Sequence, residues 1–331
     1  MRITKSALLT SIAAAAMLPS MAFAQDAEDG AEGEEIIVTA RRQNERLVDV
    51  PASVSVIDAD SLAKTGADNA QGFAQLTPGV TIVTGTAEAG DTQINIRGIN
   101  GARDAESSVA LVVDGILKTN TAQLNQTQGT LRQIEILKGP QGAIYGRNAA
   151  AGAIVISTVK PGDTLEGAVK FSYANEKTIE GTAYISAPLG DNAGFVLSGN
   201  YRTTDGFYRN TFLDRKVVDD QEVYSIDGRF MADLGEATNI DLKARYSKLS
   251  GASINFNSVF HIEAFGGAFF EDVDDHELGY YSNIRPTNDQ RTIDFSAKLE
   301  HDFGSTKLTA WALYSDVDQS LTADGTSADF A

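Results

Sequence analysis

The chain has 331 residues, a formal net charge of -18 and no cysteine. Its length allows one large or two ordinary domains. The acidic balance excludes a nucleic-acid binder, which needs a Lys/Arg surface to displace counterions, and the lack of cysteine excludes disulfides, a thiolate nucleophile and Cys-based metal sites.

Arg2 and Lys5 precede an apolar run at 7–18 that is too short to span a bilayer, and Ala22-Phe23-Ala24 offers a small-x-small cleavage pattern. This predicts a cleaved export signal over 1–24 and a mature chain starting at Gln25. No later stretch is long and apolar enough for a transmembrane helix, which leaves a soluble protein or a transmembrane β-barrel. Asp26, Glu28, Asp29, Glu32, Glu34 and Glu35 open the segment 25–48 without a base among them, a composition too polar to bury a core. It reads as a mobile leader. Within it, Ile36-Ile37-Val38-Thr39-Ala40 is a β-branched run of high strand propensity that needs a partner edge.

From 49 to 160 the pattern is mixed α+β. A strand is expected around Val54, Val56 and Ile57, then a helix over 62–64 capped by Asp58 or Asp60 and ended by Gly66. A second helix over 70–76 stops at Thr77-Pro78-Gly79. Strands follow at 80–83, 93–97, 109–113 and 133–137, with Asp114-Gly115 a tight turn signal. The most informative stretch is LRQIEILKGPQGAIYGRNAAAGAIVISTVKP over 131–161. It reads as a strand, a Gly-Pro break, a glycine-rich connection and a second strand, with Ile134, Ile136, Ile154 and Ile156 alternating as in half-buried strands.

From 165 onward the pattern becomes long period-2 strands. Val169, Phe171 and Tyr173 alternate with Ala168, Lys170 and Ser172; Ile240, Leu242, Ala244 and Tyr246 alternate with Asp241, Lys243, Arg245 and Ser247. One apolar face and one face with charges of both signs fit a lipid-facing wall around an aqueous lumen. About seven strands are expected, at 165–175, 179–189, 194–203, 222–234, 239–249, 291–303 and 307–317. Short connections at 190–192, 234–236 and 304–306 alternate with longer ones at 204–220 and 250–288, an asymmetry of outer-membrane barrels that a soluble sandwich does not explain. A plugged lumen needs about 22 strands, roughly 350 residues more than are present here, so the barrel is expected to be incomplete, the chain being a fragment or a truncated product.

The phrases VPASVSVI, LTPGV, INIRGI, LVVDG and IEILKGPQGAIYG, in that order between Val50 and Gly146, resemble the plug of TonB-dependent outer-membrane receptors. The resemblance implies an α+β plug domain over 49–160, followed over 161–331 by the N-terminal part of an antiparallel transmembrane β-barrel. It also implies that Ile36, Ile37, Val38, Thr39 and Ala40 form a TonB box, which binds the periplasmic protein TonB by strand addition. Arg97, Glu135, Lys138 and Arg147 are implied to pair with the inner barrel wall. The apical plug loops, with Asn100, Arg103, Asp104, Thr119, Asn120, Gln123 and Asn125, are implied to bind the ligand.

Other chemistry is weak. Gly139, Gly142 and Gly146 lack the Gly-Lys-Ser/Thr of a phosphate loop, and His261, His276 and His301 form no paired metal motif. Glu271, Asp272, Asp274, Asp275, His276 and Glu277 read as a solvated loop in preference to a calcium site. No enzyme, cofactor or metal is expected. The resemblance implies a receptor in the outer membrane of a Gram-negative bacterium, with TonB, outer-membrane lipids and a small nutrient ligand, a ferric chelate or a carbohydrate-like molecule, as partners. The alternative is a truncated, non-transporting module that binds ligand or TonB.

Overall fold

The computed structural model describes residues 36–39, 41–65, 70–84, 92–100, 106–118, 124, 130–252 and 282–322. The export signal, the acidic leader up to residue 35, Ala40, Gly66, the loop 271–277 and Arg103, Asp104, Thr119, Asn120, Gln123 and Asn125 lie outside the described residues. Ile36 is exposed.

The described chain opens with a small antiparallel hairpin, β1 (Ile37–Val38) with β2 (Glu45–Arg46). Strand β3 (Ser53–Asp58) runs into helix α1 (Ala59–Thr65), and Asp58 Oδ1 accepts from Ser61 N at 2.7 Å, capping the helix as its sequence suggests. Helix α2 (Ala70–Gln75) follows, then a three-stranded antiparallel sheet of β4 (Val80–Thr84), β5 (Thr92–Ile96) and β6 (Ile99–Asn100). Next come β7 (Val109–Val113), β8 (Ile116–Leu117), β9 (Leu131–Lys138), α3 (Gly142–Tyr145) and β10 (Gly152–Thr158).

The central sheet has the order β3-β9-β10-β7-β8, with β7 and β10 parallel and the other neighbours antiparallel. Its strands are not half-buried, as the alternation suggested. Ile134, Ile136, Ile154 and Ile156 pack with Leu62 and Phe73 of the helices and with Ile82 and Ile94 of the small sheet. On the opposite face Leu137, Ala153 and Val155 pack with Tyr145 and Ala149. Both faces are covered, so β7, β9 and β10 form the core, and each fully buried Ile, Leu or Val contributes about 1.5–3 kcal/mol relative to exposure. Strand β10 passes so close to β9 that a Cβ on Gly152 would stand 2.2 Å from the Leu137 carbonyl oxygen.

The wall is a seven-stranded antiparallel meander: β11 (Glu166–Ala174), β12 (Thr178–Pro188), β13 (Ala193–Thr204), β14 (Gln221–Asp233), β15 (Thr238–Gly251), β16 (Thr287–Asp302) and β17 (Lys307–Thr322). These match the expected strands one for one, with β16 starting earlier and β17 running to Thr322. Its polarity is inverted relative to a soluble sheet. Ser225, Arg229, Asp241, Ser247, Thr292 and Asp294 are buried, whereas Ile226, Leu242 and Phe295 on the alternate positions are exposed, Phe295 at 52%. The cross-strand row Phe295–Tyr314, with ring centroids 6.5 Å apart, lies on that outer face.

Candidate functional site

Two fastenings define the site, one at the N-terminal hairpin and one between the plug and the wall. At the first, Val38 is buried while Ile36 and Ile37 are exposed. Thr39 N donates to both oxygens of Glu135 at 2.9 Å and Thr39 Oγ1 donates to Glu135 Oε1 at 3.0 Å. Gln133 Nε2 bridges Glu135 Oε1 at 3.0 Å and the Ile37 carbonyl at 3.1 Å. The Arg42 guanidinium stands 5.4 Å over the Tyr145 ring, and burial pushes the Tyr145 hydroxyl up to about 12.

At the second, the chain turns from β7 to β8 through Asp114 and Gly115, both with positive φ, as a two-residue type I′ turn demands. That turn delivers the Asp114 carboxylate to the wall. Asp114 Oδ1 accepts from Thr158 N at 2.9 Å and from Arg229 Nη1 at 3.3 Å; Asp114 Oδ2 accepts from Thr158 Oγ1 at 2.8 Å and from Lys243 Nζ. Arg229 Nη1 also donates to the carbonyls of Thr158 and Val159, at 3.2 and 3.1 Å. The rest of its guanidinium grips Asp241 in a bidentate pair at 3.0 and 2.7 Å. Two cations and two carboxylates balance, which buried charges require. Beside them Lys118 of the plug pairs with Asp294 of β16 at 3.3 Å, and Asp294 also accepts from Ser315 at 2.6 Å. A cavity of about 70 Å³ between Lys118, Ser198, Asp227, Arg245 and Ser296 has room for a few waters.

The residues expected to meet the wall make other contacts among the described residues. Glu135 is fully buried on the sheet face it shares with Leu137, and its carboxylate accepts from the Thr39 amide. Lys138 donates to the Pro78 carbonyl at 2.8 Å, and Arg147 stands 3.9 Å from Glu106 in an exposed pair of little energetic weight. Arg97 occupies an exposed turn at φ 53°, its guanidinium beside Gly139. Of the expected ligand residues only Asn100 is described; it is exposed and pairs in register with Asn95. Sequence reasoning missed Asp114, Thr158, Lys118, Arg229 and Asp294 as plug–wall contacts. The available signal was parity: Arg229, Asp241, Lys243, Arg245 and Asp294 all fall on the inward positions of their strands.

A mixed α+β domain fastened to the polar face of a curved antiparallel wall defines the plugged-barrel class. Residues 46–153 match the TonB-dependent Receptor Plug Domain family. The chain is 30% identical over 179 residues to the pesticin receptor of Yersinia pestis, covering 53% of this chain and 26% of that relative. It is 25% identical over 203 residues to the vitamin B12 transporter of Vibrio vulnificus, covering 60% of this chain and 32% of that relative. The crystal structure of the ferric yersiniabactin uptake receptor of Yersinia pestis is similar in fold, with a TM-score of 0.73 at 17% identity over 83% of this chain and 42% of that one. The ferric-catecholate import receptor of E. coli K12 gives 0.67 at 19% identity over 87% and 42%. This chain thus spans 26% and 32% of those two curated relatives. Residues 46–153 thus carry a TonB-dependent receptor plug domain, and the chain as a whole shares the fold of those solved receptors.

Proposed function

We propose that this chain works in the outer membrane of a Gram-negative bacterium as an importer of a small nutrient ligand, energised by TonB. The inverted polarity of the wall carries the reading: an exposed apolar face opposite buried charges is stable against a bilayer and not against water. In this organisation 1–24 is the cleaved export signal, 25–48 the leader, 49–160 the plug and 161–331 wall. Ile36, Ile37, Val38, Thr39 and Ala40 are the strand offered to TonB, and the loops around Asn100, Arg103, Asp104, Thr119, Asn120, Gln123 and Asn125 meet the ligand. Relatives named for ferric yersiniabactin and ferric-catecholate import support a ferric chelate as the ligand class. The reading is of transport and not catalysis.

Ile37→Pro tests it, because proline removes a backbone donor and fixes φ where strand addition needs both free. Iron-starved cells carrying the receptor are given radio-iron as a ferric catecholate. Uptake is expected to vanish while binding at the cell surface persists. Undiminished uptake overturns the coupling role, and loss of both binding and uptake makes Ile37 a structural strand residue.

A further inference from the structure

The geometry points to Glu135 as the latch that holds the coupling strand docked on the plug and so sets how often that strand is offered to a partner. This rests on the reading above for the partner's identity, but not for the docking itself. The two-residue pairing of β1 with β2, Ile37 opposite Arg46 and Val38 opposite Glu45, is too short to hold the segment on its own. It nevertheless occupies one edge of β1, so an incoming strand cannot add along that edge until the hairpin opens.

What keeps the hairpin down is its seat on the sheet face. The Thr39 amide and hydroxyl both donate to one carboxylate that is 0% exposed, and charge-assisted bonds of this kind are the strong ones. Gln133 ties that same carboxylate to the Ile37 carbonyl, and Arg42 over Tyr145 adds a second hold a few residues on. Glu135 also stands opposite Val155 on β10, the strand that ends at Thr158 in the plug–wall fastening. Hairpin and wall therefore hold the same strand pair from two sides.

The absence of cysteine makes a direct test clean. Val38→Cys, at a side chain 1% exposed, reports undocking through its rate of thiol labelling in the detergent-purified chain; Ala149→Cys, 2% exposed in the plug core, reports plug opening. With Glu135→Ala, labelling at position 38 is expected to rise about tenfold or more, the effect of losing charge-assisted hydrogen bonds, with no change at position 149. Glu135→Asp, which keeps a carboxylate, is expected to recover part of the protection. An unchanged rate at position 38 overturns the latch, as does equal acceleration at both positions, which would make Glu135 a residue of the plug fold. Binding of the TonB periplasmic domain to the same variants separates the two readings. Faster labelling with stronger TonB binding supports both, whereas faster labelling without it upholds the latch and sinks the assignment of TonB as partner.

Discussion

Lys118 and Asp294 meet at 3.3 Å across the seam between plug and wall, and their side chains are only 9% and 6% exposed. The pair is 176 residues apart in sequence, so it closes the longest loop of any plug–wall contact described above. Burial pulls the Lys118 ammonium below the usual lysine range, and the Asp294 carboxylate opposes that pull.

Removing one partner of such a pair leaves the other charge buried and alone. Lys118→Met is expected to cost about 3–5 kcal/mol, and the double variant Lys118→Met, Asp294→Leu is expected to regain most of it. Hydrogen exchange over 109–118 in the purified chain measures both. A double variant no better than the single one would mean that the pair's geometry, and not charge burial, holds the seam.

Arg229 serves acceptors in two directions, Asp241 along the wall and Asp114, Thr158 and Val159 in the plug. A lysine cannot span them, since its ammonium is a single point with three donors. Arg229→Lys is therefore expected to speed hydrogen exchange at 156–160 nearly as much as Arg229→Ala. Retention of wild-type exchange by the lysine variant would show that charge alone suffices.

Two glycines in the plug are expected to respond oppositely to the same change. Gly152→Ala forces a methyl onto the Leu137 carbonyl, which must shift, and the variant should lose about 1–3 kcal/mol of plug stability. Gly142→Ala meets open space in α3 and is expected to gain about 0.4–1 kcal/mol. Denaturant titration followed by exchange in β10 gives the sign of each.

Asp58 offers a pH signature. The Ser61 amide bonded to its carboxylate holds Asp58 below the usual carboxylate range, so the ionised cap stabilises α1 at neutral pH and the benefit fades as pH falls through the lowered folded-state value. Asp58→Ala is expected to cost about 1 kcal/mol near pH 7. The ratio of exchange rates over 59–65 between variant and wild type should fall toward one as pH drops through that lowered value. A ratio that stays constant with pH would show that the cap acts without its charge.

Much of the fold was legible because its rules are local. Alternation placed every wall strand, Asp114-Gly115 announced its turn and Asp58 its helix cap. The burial of β9 and β10 on both faces was not legible, since Ile134 and Ile136 alternate with residues whose own partners, Tyr145 and Ala149, lie at the end of and just beyond an unforeseen four-residue helix. The fastening of Asp114 was hidden for a different reason. Arg229 and Lys243 lie 115 and 129 residues away, and parity shows that they point inward without showing which plug residue they meet. Glu135 was expected at the wall by resemblance, and no local rule foretold that its carboxylate would accept from Thr39 of the hairpin, 96 residues away.

Strict alternation along β14 also governs how this chain can change over generations. Arg229 faces the plug and Phe230 the opposite side, so inserting or deleting one residue within the strand swaps the sides of everything beyond it. The arginine would abandon Asp114 and Asp241 together and, in the outer-membrane setting proposed above, enter lipid at a cost of about 2–4 kcal/mol near the bilayer midplane. Length variation among descendants is thereby confined to the connections between strands. The wall itself can gain or lose only whole hairpins, leaving the outer contour free to diverge while the inner lining is inherited as a unit.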